Sequence, residues 1–213
     1  MKVLVLGGHG KVALLLAPLL SQRGDDVTSV IRNPDHAADI TAAGATPLVL
    51  DIESADEAAV RDAVSGFDAV VWSAGAGGGT TERTYAVDRD AAIRAMDAAA
   101  ATGVRRFVMV SWIGSTHDHG ISPDDSFFAY ADAKLAADDH LRATALDWTI
   151  LGPGTLTLDP PTGAITLDPQ GQGEVSRADV AAVIAASLLD DRTVGRFIRF
   201  GAGDQPIADA LGA

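Results

Sequence analysis

The stretch that decides the fold is "MKVLVLGGHGKVALLLAPLL", residues 1–20. Its apolar run Val3–Leu6 predicts a buried strand, because a strand that is covered on both faces is continuously apolar rather than alternating. The glycine-rich turn "GGHG" follows directly at residues 7–10. An apolar stripe of helical spacing comes next, formed by Val12, Leu15, Leu16, Leu19 and Leu20. The first twenty residues therefore predict a strand, a tight turn and a helix in direct succession.

The same alternation continues to the end of the chain. Six further runs have the apolar character of buried strands: Val27–Ile31, Pro47–Leu50, Ala69–Trp72, Phe107–Val110, Trp148–Leu151 and Phe197–Phe200. Helices are predicted between them, over about 34–43, 54–64, 84–102, 127–143 and 177–189. This order is typical of right-handed βαβ units and predicts a doubly wound, mostly parallel α/β sheet of about seven strands. We interpret residues 1–213 as a single domain, with 152–173 as a substrate-side excursion.

Composition and charge exclude several classes of protein. The net charge is −13 at pH 7, and binding to a phosphate backbone needs clustered Lys and Arg, so we expect no nucleic-acid partner. The absence of cysteine removes disulfides, thiolate nucleophiles and cysteine-based metal sites. The apolar segments are too short for a signal peptide or a membrane span. We therefore expect a cytoplasmic protein without a membrane partner, monomeric or homodimeric, with a small-molecule substrate.

The glycine turn has two interpretations. In an open parallel sheet, ligands bind beyond the carboxyl ends of the strands, where glycines let a pyrophosphate approach the backbone. The helix that begins there offers free N–H groups to an anion. The alternative is a plain strand-to-helix turn that binds nothing. Its placement directly after the first strand favours a dinucleotide site, formed by Gly7, Gly8, His9, Gly10, Lys11 and Val12.

The end of the second predicted strand indicates which dinucleotide is bound. NAD-specific sites carry an Asp or Glu there, which accepts hydrogen bonds from the ribose hydroxyls. Here Arg32 occupies the place, and a guanidinium pairs well with a 2′-phosphate. A solvated loop arginine is the alternative, and Asp35 nearby weakens the distinction. We expect NADP(H) as the preferred cofactor and NAD(H) as the alternative.

The ends of the third and fourth strands add candidate cofactor contacts. Asp51 would accept a hydrogen bond from the adenine amino group, and Ile52 would pack against the ring. The small residues Ser73, Ala74 and Gly75 would let the backbone pass close to a ribose. Asp and Gly are common after strands, so the prediction depends on the shared position of these residues at one edge of the sheet.

Tyr130 and Lys134 are the candidate catalytic pair. Residues four apart on a helix lie on the same face, so the phenol and the ammonium are expected to lie together. An adjacent ammonium would lower the pKa of the phenol, which could then protonate a carbonyl oxygen while Ser111, or alternatively Ser115, polarises that oxygen. Lys134 would also hold the nicotinamide ribose. The alternative is a pair of solvated side chains on a helix surface.

Other polar clusters are interpreted as solvated surface. His117, Asp118 and His119 have residue types that bind zinc, but their spacing within a loop is unspecific, and we predict no metal site. The acidic pairs Asp124–Asp125 and Asp138–Asp139 are most simply explained by solubility.

Several motifs together resemble a known family. They are the glycine turn, Arg32, "GVRRFVMVSW" (103–112), "YADAK" (130–134), "DWTILGPGTLT" (147–157), "VSRADVA" (175–181) and "TVGRFIRFGAGDQPI" (193–207). Their order resembles that of the atypical short-chain dehydrogenase/reductases, in particular the small NAD(P)H-binding, NmrA-like and flavin/biliverdin-reductase-like branch. The resemblance implies a Rossmann-type sheet with NADP(H) across its edge, and it adds Pro153 to the cofactor contacts. Gly152 departs from it, because relatives often carry Arg there.

The resemblance implies an NADP(H)-dependent oxidoreductase that acts on a small carbonyl, quinone or flavin-like acceptor. A protein that senses NADP(H) without turnover is the alternative from another functional class. A sugar-nucleotide epimerase is a third interpretation, which we disfavour because the chain lacks a sizeable C-terminal substrate domain.

Overall fold

The structure is a computed structural model that describes residues 1–171 and 173–212. Gln172, within the predicted excursion, and Ala213 lie outside the described residues. The strands are β1 (Lys2–Leu6), β2 (Asp26–Ile31), β3 (Thr46–Val49), β4 (Ala69–Trp72), β5 (Arg106–Val110), β6 (Asp147–Pro153), β7 (Thr155–Thr157), β8 (Ala164–Leu167), β9 (Glu174–Ser176), β10 (Arg196–Ala202) and β11 (Gln205–Pro206). The α-helices are α1 (Lys11–Gln22), α2 (Ala37–Ala42), α3 (Glu57–Val64), α4 (Thr81–Thr84), α5 (Ala92–Thr102), α6 (Phe128–Ala143), α7 (Arg177–Ser187) and α8 (Ile207–Leu211).

The main sheet confirms the predicted doubly wound, mostly parallel α/β fold. Its strand order is β11-β8-β10-β6-β5-β4-β1-β2-β3, and the seven predicted strands all pair in parallel. The described part of the sheet has nine strands rather than about seven, because β8 and β11 extend it with antiparallel pairs. Both are short, with four residues in β8 and two in β11, and neither was predicted from the sequence. Strands β7 and β9 form a separate two-stranded sheet.

Each face of the sheet is covered by helices. Val3 and Val5 of β1 face one buried cluster together with Leu16 of α1, whereas Leu4 and Leu6 face a second cluster on the opposite side. These four side chains are fully buried. Burial on both faces is the physical reason for the unbroken apolar runs from which the strands were predicted.

The segment predicted as one helix over 84–102 is divided in the structure. A π-helix at Tyr85–Ala91 connects α4 to α5. π-turns are rare and occur frequently at functional sites. Here the wider turn carries Asp88, which is buried and accepts a hydrogen bond at 2.9 Å from the backbone N–H of Ala76.

No helix in residues 1–171 or 173–212 has the length and apolar character needed to cross a bilayer.

We expect Leu16→Ala to lower the free energy of unfolding by about 3 kcal/mol, because truncation of a buried leucine removes apolar contacts and leaves a cavity. Leu15→Ala is the matched control in the same helix, since the Leu15 side chain is 41% exposed and that of Leu16 is 0% exposed. The control should cost less than about 1 kcal/mol. Urea denaturation followed by circular dichroism measures both values. Equal losses would contradict the packing of α1 on the sheet through the Leu16 face.

Candidate functional site

Gly7 and Gly8 are required by the packing of the turn itself. Gly7 has a φ of +84°, in the left-handed region that favours glycine, and a Cβ there would lie 2.5 Å from the Cα of Ala74. A Cβ on Gly8 would lie 2.5 Å from the Cβ of Ser29. The turn after β1 therefore passes directly against β2 and against the segment that follows β4.

Gly10 is different, because its backbone needs no glycine. Its φ is −64°, and the residue is exposed. A Cβ there would lie 3.1 Å from the carbonyl oxygen of Gly7 and 3.6 Å from that of Ser73. A larger side chain at Gly10 would therefore occupy space beside the turn and would push the Gly7 carbonyl oxygen slightly, although the φ of Gly10 itself suits any residue.

The first turn of α1 is suited to an anion. The helix begins at Lys11 after Gly10, which has no side chain to cap it, and its first turn contains no acidic residue. Its first N–H groups are therefore available to a ligand, and the helix dipole favours negative charge. Lys11 is exposed, while the Val12 side chain is buried in the core, so Val12 can contribute only its backbone. The open helix end and the missing Cβ at Gly10 fit a pyrophosphate.

A cleft of about 250 Å³ lies beyond the carboxyl ends of β1 to β4. The residues that line it include nine of the predicted cofactor-binding residues: Gly7, His9, Gly10, Arg32, Asp51, Ile52, Ser73, Ala74 and Gly75. Gly8 and Val12 are buried beside the cleft. Lys134 and Pro153 belong to α6 and the end of β6, farther along the same edge of the sheet.

Glu53 is a lining residue that the sequence analysis missed. Its Oε2 atom lies 3.6 Å from Nη1 of Arg32 and 3.0 Å from Nε of Arg83, which also lines the cleft. Glu53 therefore partly neutralises the arginine that was predicted to meet a 2′-phosphate. The position of Glu53 after β3 was visible in the sequence, but its contact with Arg83, on a later helix, was not.

Two histidines stack at the same end of the cleft. The His9 and His36 ring centroids are 3.6 Å apart, with an angle of 13° between the ring planes. His9 Nε2 lies 2.9 Å from Oδ2 of Asp39. The His36 ring therefore covers one face of the His9 ring, while Asp39 orients its edge.

Tyr130, Lys134 and Asp138 lie at successive four-residue steps along α6. Lys134 is almost fully buried, and its Nζ donates a hydrogen bond of 2.8 Å to the carbonyl oxygen of Val110, at the end of β5. A longer contact of 3.6 Å reaches the Sδ of Met109. The predicted one-turn spacing of phenol and ammonium is therefore present, and the ammonium is anchored to the sheet edge.

The expected lowering of the Tyr130 pKa is wrong in this structure. Burial raises the pKa of the Tyr130 phenol well above its ordinary value, and the nearby carboxylates Asp88 and Asp138 raise it further. The Lys134 ammonium attracts the same two carboxylates and so opposes the rise of their pKa values. The phenol therefore keeps its proton at neutral pH.

Asp138 was interpreted as a solvated surface acid, and this interpretation is wrong. Its side chain is fully buried, and its Oδ2 accepts hydrogen bonds from Ser111 Oγ at 2.5 Å and from Ser115 Oγ at 2.6 Å. Burial raises the pKa of the Asp138 carboxyl. Asp139 remains at the surface and pairs with Arg142. The i, i+4, i+8 series from Tyr130 was the signal that could have separated Asp138 from its neighbour.

Both candidate serines donate a hydrogen bond to the same carboxylate. Ser111 is 4% exposed and Ser115 is 0% exposed. Their backbone positions bracket a turn in which Ser115 N–H donates to the Trp112 carbonyl oxygen at 3.1 Å. Asp138 therefore holds the turn that follows β5 from both ends.

Asp88 is a second buried carboxyl that was not predicted. Burial raises the pKa of Asp88, whereas Lys134 opposes that effect. A Cβ on Gly75 would lie 3.1 Å from Oδ1 of Asp88, so the small residue after β4 leaves room for this carboxyl. Lys134 therefore has carboxyl neighbours from the π-helix and from its own helix.

An aromatic cluster surrounds Tyr130. Trp112 meets Phe127 edge-to-face with centroids 5.1 Å apart, and Phe127 lies 5.0 Å from the Tyr130 ring. Trp112 is only 8% exposed, while Phe127 is 39% exposed. Ile113 continues this apolar surface, and its N–H donates to the Pro153 carbonyl oxygen at 3.0 Å.

The loop that suggested a metal site makes other contacts. His117 Nε2 lies 3.2 Å from Asp139 Oδ2, and His119 Nδ1 accepts a hydrogen bond of 3.0 Å from the N–H of Ile121. Within residues 1–171 and 173–212, no three His, Asp or Glu side chains are grouped so that they could hold a metal ion.

Residues 7–191 match the model of a family described as NAD(P)H-binding. A Bacillus subtilis protein named "Uncharacterized sugar epimerase YhfK" is 35% identical over 214 residues, which cover 99% of each chain. The solved structure "Putative NAD-dependent epimerase/dehydratase" from Bacillus halodurans is 33% identical with a TM-score of 0.91, and covers 100% of this chain and 99% of that chain.

The oxidoreductase ylbE from Lactococcus lactis is also similar in structure. It is 27% identical with a TM-score of 0.89, and the match covers 100% of this chain and 95% of that chain. These similarities extend over the glycine turn, the cleft and the Tyr130 helix together. The chain therefore belongs to the NAD(P)H-binding family, which is consistent with the resemblance of its motifs to the atypical short-chain dehydrogenase/reductases, and its cofactor is a nicotinamide dinucleotide.

Proposed function

We propose that the protein is an NADP(H)-dependent oxidoreductase that reduces a small carbonyl, quinone or flavin-like acceptor. The observation that carries this proposal is the position of Tyr130 and Lys134, one turn apart on α6, with Lys134 Nζ anchored 2.8 Å from the carbonyl oxygen at the end of β5. That end belongs to the same sheet edge as the cleft. A relative with 27% identity is named an oxidoreductase, which supports the same class of reaction.

The bound cofactor supplies a hydride, and the residues of this chain hold the cofactor in place. The glycine turn and the first N–H groups of α1 would bind the pyrophosphate. Asp51 and Ile52 would contact the adenine, and Arg32 would pair with the 2′-phosphate. An ammonium has three donors, so Lys134 retains capacity for a ribose hydroxyl beyond its bond to Val110.

Tyr130 would hold the proton that the acceptor oxygen needs. A reduction starts from a protonated donor, and the raised pKa of the Tyr130 phenol keeps the proton on Oη. An oxidation would instead start from a phenolate, which the same surroundings disfavour. The raised pKa therefore keeps Tyr130 in the protonated form from which a reduction starts.

The names of two relatives suggest an epimerase or dehydratase, which is the second candidate function. A sugar epimerase that begins by oxidising a hydroxyl needs a base at Tyr130, and the raised pKa of this phenol argues against that role. Formation of a second epimer from a sugar nucleotide in the presence of the enzyme would favour this candidate over the reductase.

The apolar surface beside Tyr130 supports a planar acceptor. Trp112 and Phe127 present aromatic edges and faces within 5.1 Å of each other, and aromatic rings stack favourably on planar ligands. A screen of carbonyl compounds, quinones and flavins tests the proposal, with the loss of NADPH absorbance as the measure of turnover. Tight NADPH binding without oxidation of NADPH by any tested acceptor would favour the alternative, a protein that senses NADP(H) without turnover.

We expect Gly10→Val to abolish binding of NADPH and NADH while the protein stays folded. The new side chain would project from a Cβ 3.1 Å from the Gly7 carbonyl oxygen, into the space assigned to the pyrophosphate. Because Gly10 has a φ of −64°, the loss cannot be attributed to an unfavourable φ at this residue. Calorimetric titration measures affinity, and the melting temperature is the control for folding. A folded variant with unchanged affinity would contradict a dinucleotide at this turn.

Arg32 and Glu53 are expected to change cofactor preference in opposite directions. Arg32→Ala should reduce the preference for NADPH over NADH by about tenfold, because a charge-assisted bond to the 2′-phosphate is lost. Glu53→Gln should strengthen NADPH binding, because it removes a carboxylate 3.6 Å from the Arg32 guanidinium.

The control for this pair is Arg61→Ala, an exposed arginine on α3 outside the cleft lining. Titration of each variant with both cofactors measures the ratio of the two dissociation constants. Equal affinity of the wild-type protein for both cofactors would contradict the assignment of Arg32.

We expect Tyr130→Phe to keep NADPH binding but to lower kcat by roughly 10²–10⁴-fold, the usual effect of losing a general acid. Lys134→Met should weaken binding and slow turnover together, because it removes a ribose contact and a buried charge. Tyr85→Phe is the matched control, since Tyr85 carries the other phenol of the chain and donates to Asp132 at 2.9 Å. If Tyr130→Phe turned over like the wild type, the acceptor would have to take its proton from solvent.

A further inference from the structure

The hydrogen bonds of Ser111 raise a problem for its expected role. A serine hydroxyl has one proton to donate, and Ser111 Oγ donates it to Asp138 Oδ2 at 2.5 Å. Ser115 Oγ donates its own proton to the same atom at 2.6 Å. While Asp138 is ionised, Ser111 can therefore offer only lone pairs to an acceptor oxygen, and it cannot polarise a carbonyl.

The surroundings of Asp138 oppose its ionised form. The side chain is 0% exposed. Within the part of the chain that the structure describes, its Oδ1 atom has no hydrogen-bond partner. A buried carboxylate with one unpaired oxygen carries a desolvation cost that a neutral acid avoids. Burial accordingly raises the pKa of Asp138.

Several charged or titratable groups face Asp138 or its partner Lys134. From α6, Lys134 and Arg142 favour the carboxylate form of Asp138, although less than burial disfavours it. Tyr130, on the same helix, feels the negative charge of Asp138. From the π-helix, Asp88 shares the ammonium of Lys134. From the turn after β5, the two serines donate to Oδ2.

A proton on Asp138 changes what the serines can do. A neutral carboxyl has one O–H donor as well as acceptor oxygens. When that O–H is directed at Ser111, the serine accepts from Asp138 and its own O–H is released. Ser111 directly follows Val110, whose carbonyl oxygen accepts the hydrogen bond from Lys134. The released O–H would therefore lie at the sheet edge where the acceptor is expected.

We propose that Asp138 is a positioning residue that acts through Ser111, and that only its protonated form lets the Ser111 hydroxyl donate to the acceptor oxygen. This inference rests on the proposed reductase function and assigns Asp138 a role in it. No proton leaves Asp138 during the reaction. Asp138 sets the direction of one hydrogen bond, and Tyr130 remains the proton donor.

The proposal fixes the sign of a pH dependence. Because the pKa of Asp138 is raised, the protonated form dominates below that pKa and is lost as the pH rises through it. The value of kcat should therefore fall on the alkaline side of the Asp138 pKa. A lost oxyanion donor typically lowers kcat by about 10²–10³-fold, so the fall should approach that size.

Asp138→Asn is the decisive variant. An amide carries both an N–H donor and a carbonyl acceptor, so it imitates protonated Asp138 at every pH. We expect this variant to keep kcat within about tenfold of the wild-type value measured below the Asp138 pKa and to lose the alkaline fall. Ser111→Ala should lower kcat below the Asp138 pKa to about the level that the wild type reaches above it, and should lack the alkaline fall. Asp139→Asn, at the partly exposed neighbouring position, should keep the wild-type profile.

A readout that needs no turnover accompanies these kinetics. Infrared difference spectra of the wild type minus Asp138→Asn should show a carboxylic-acid C=O band that disappears at the same pH as kcat falls. The inference is overturned if Asp138→Asn keeps the alkaline fall or is as slow as Ser111→Ala, or if the band is absent throughout the pH range. Wild-type protein that reduces no acceptor at all would instead overturn the proposed function, together with the role that rests on it.

Discussion

The site depends on the parallel pairing of β1 with β2 on one side and with β4 on the other. Val3 lies opposite Val27 in one pair and opposite Ala69 in the other, so the chain leaves β1 between two neighbouring strands. The turn that follows has so little space that only residues without a Cβ fit at Gly7 and Gly8. The same constraint aims the open end of α1 at the sheet edge where the cleft lies.

A second constraint is the burial of one cation with two carboxyls. Lys134 is shared by Asp88 and Asp138, and a second negative charge at this depth is poorly compensated. Burial raises the pKa values of both carboxyls although Lys134 opposes the effect, and burial together with these two carboxylates raises the pKa of Tyr130. The charges that act on the phenol thus come from two segments of the chain, the π-helix and α6, and not from the Tyr-Lys pair alone.

Prediction from sequence succeeded where a residue is tied to an element by local pattern. The apolar runs, the glycine turn and the one-turn spacing of Tyr130 and Lys134 all express short-range geometry, which the chain carries in its own order. It failed for Asp138, because the adjacent Asp139 is the same residue type and is partly exposed, so the sequence alone did not distinguish the two. It also missed Glu53, because its partner Arg83 comes from a distant segment.

The sequence by itself determined the parallel α/β architecture and the family, because both follow from periodicity and residue types, and it predicted the sheet edge at which a cofactor would bind. Only the tertiary structure decided which polar groups are buried together. Asp138 lies next to Asp139 in the chain, yet one is fully buried and the other pairs with Arg142 at the surface. The ionisation of a side chain depends on its desolvation and on charges brought close from other elements, and neither quantity is encoded in the local order of residues.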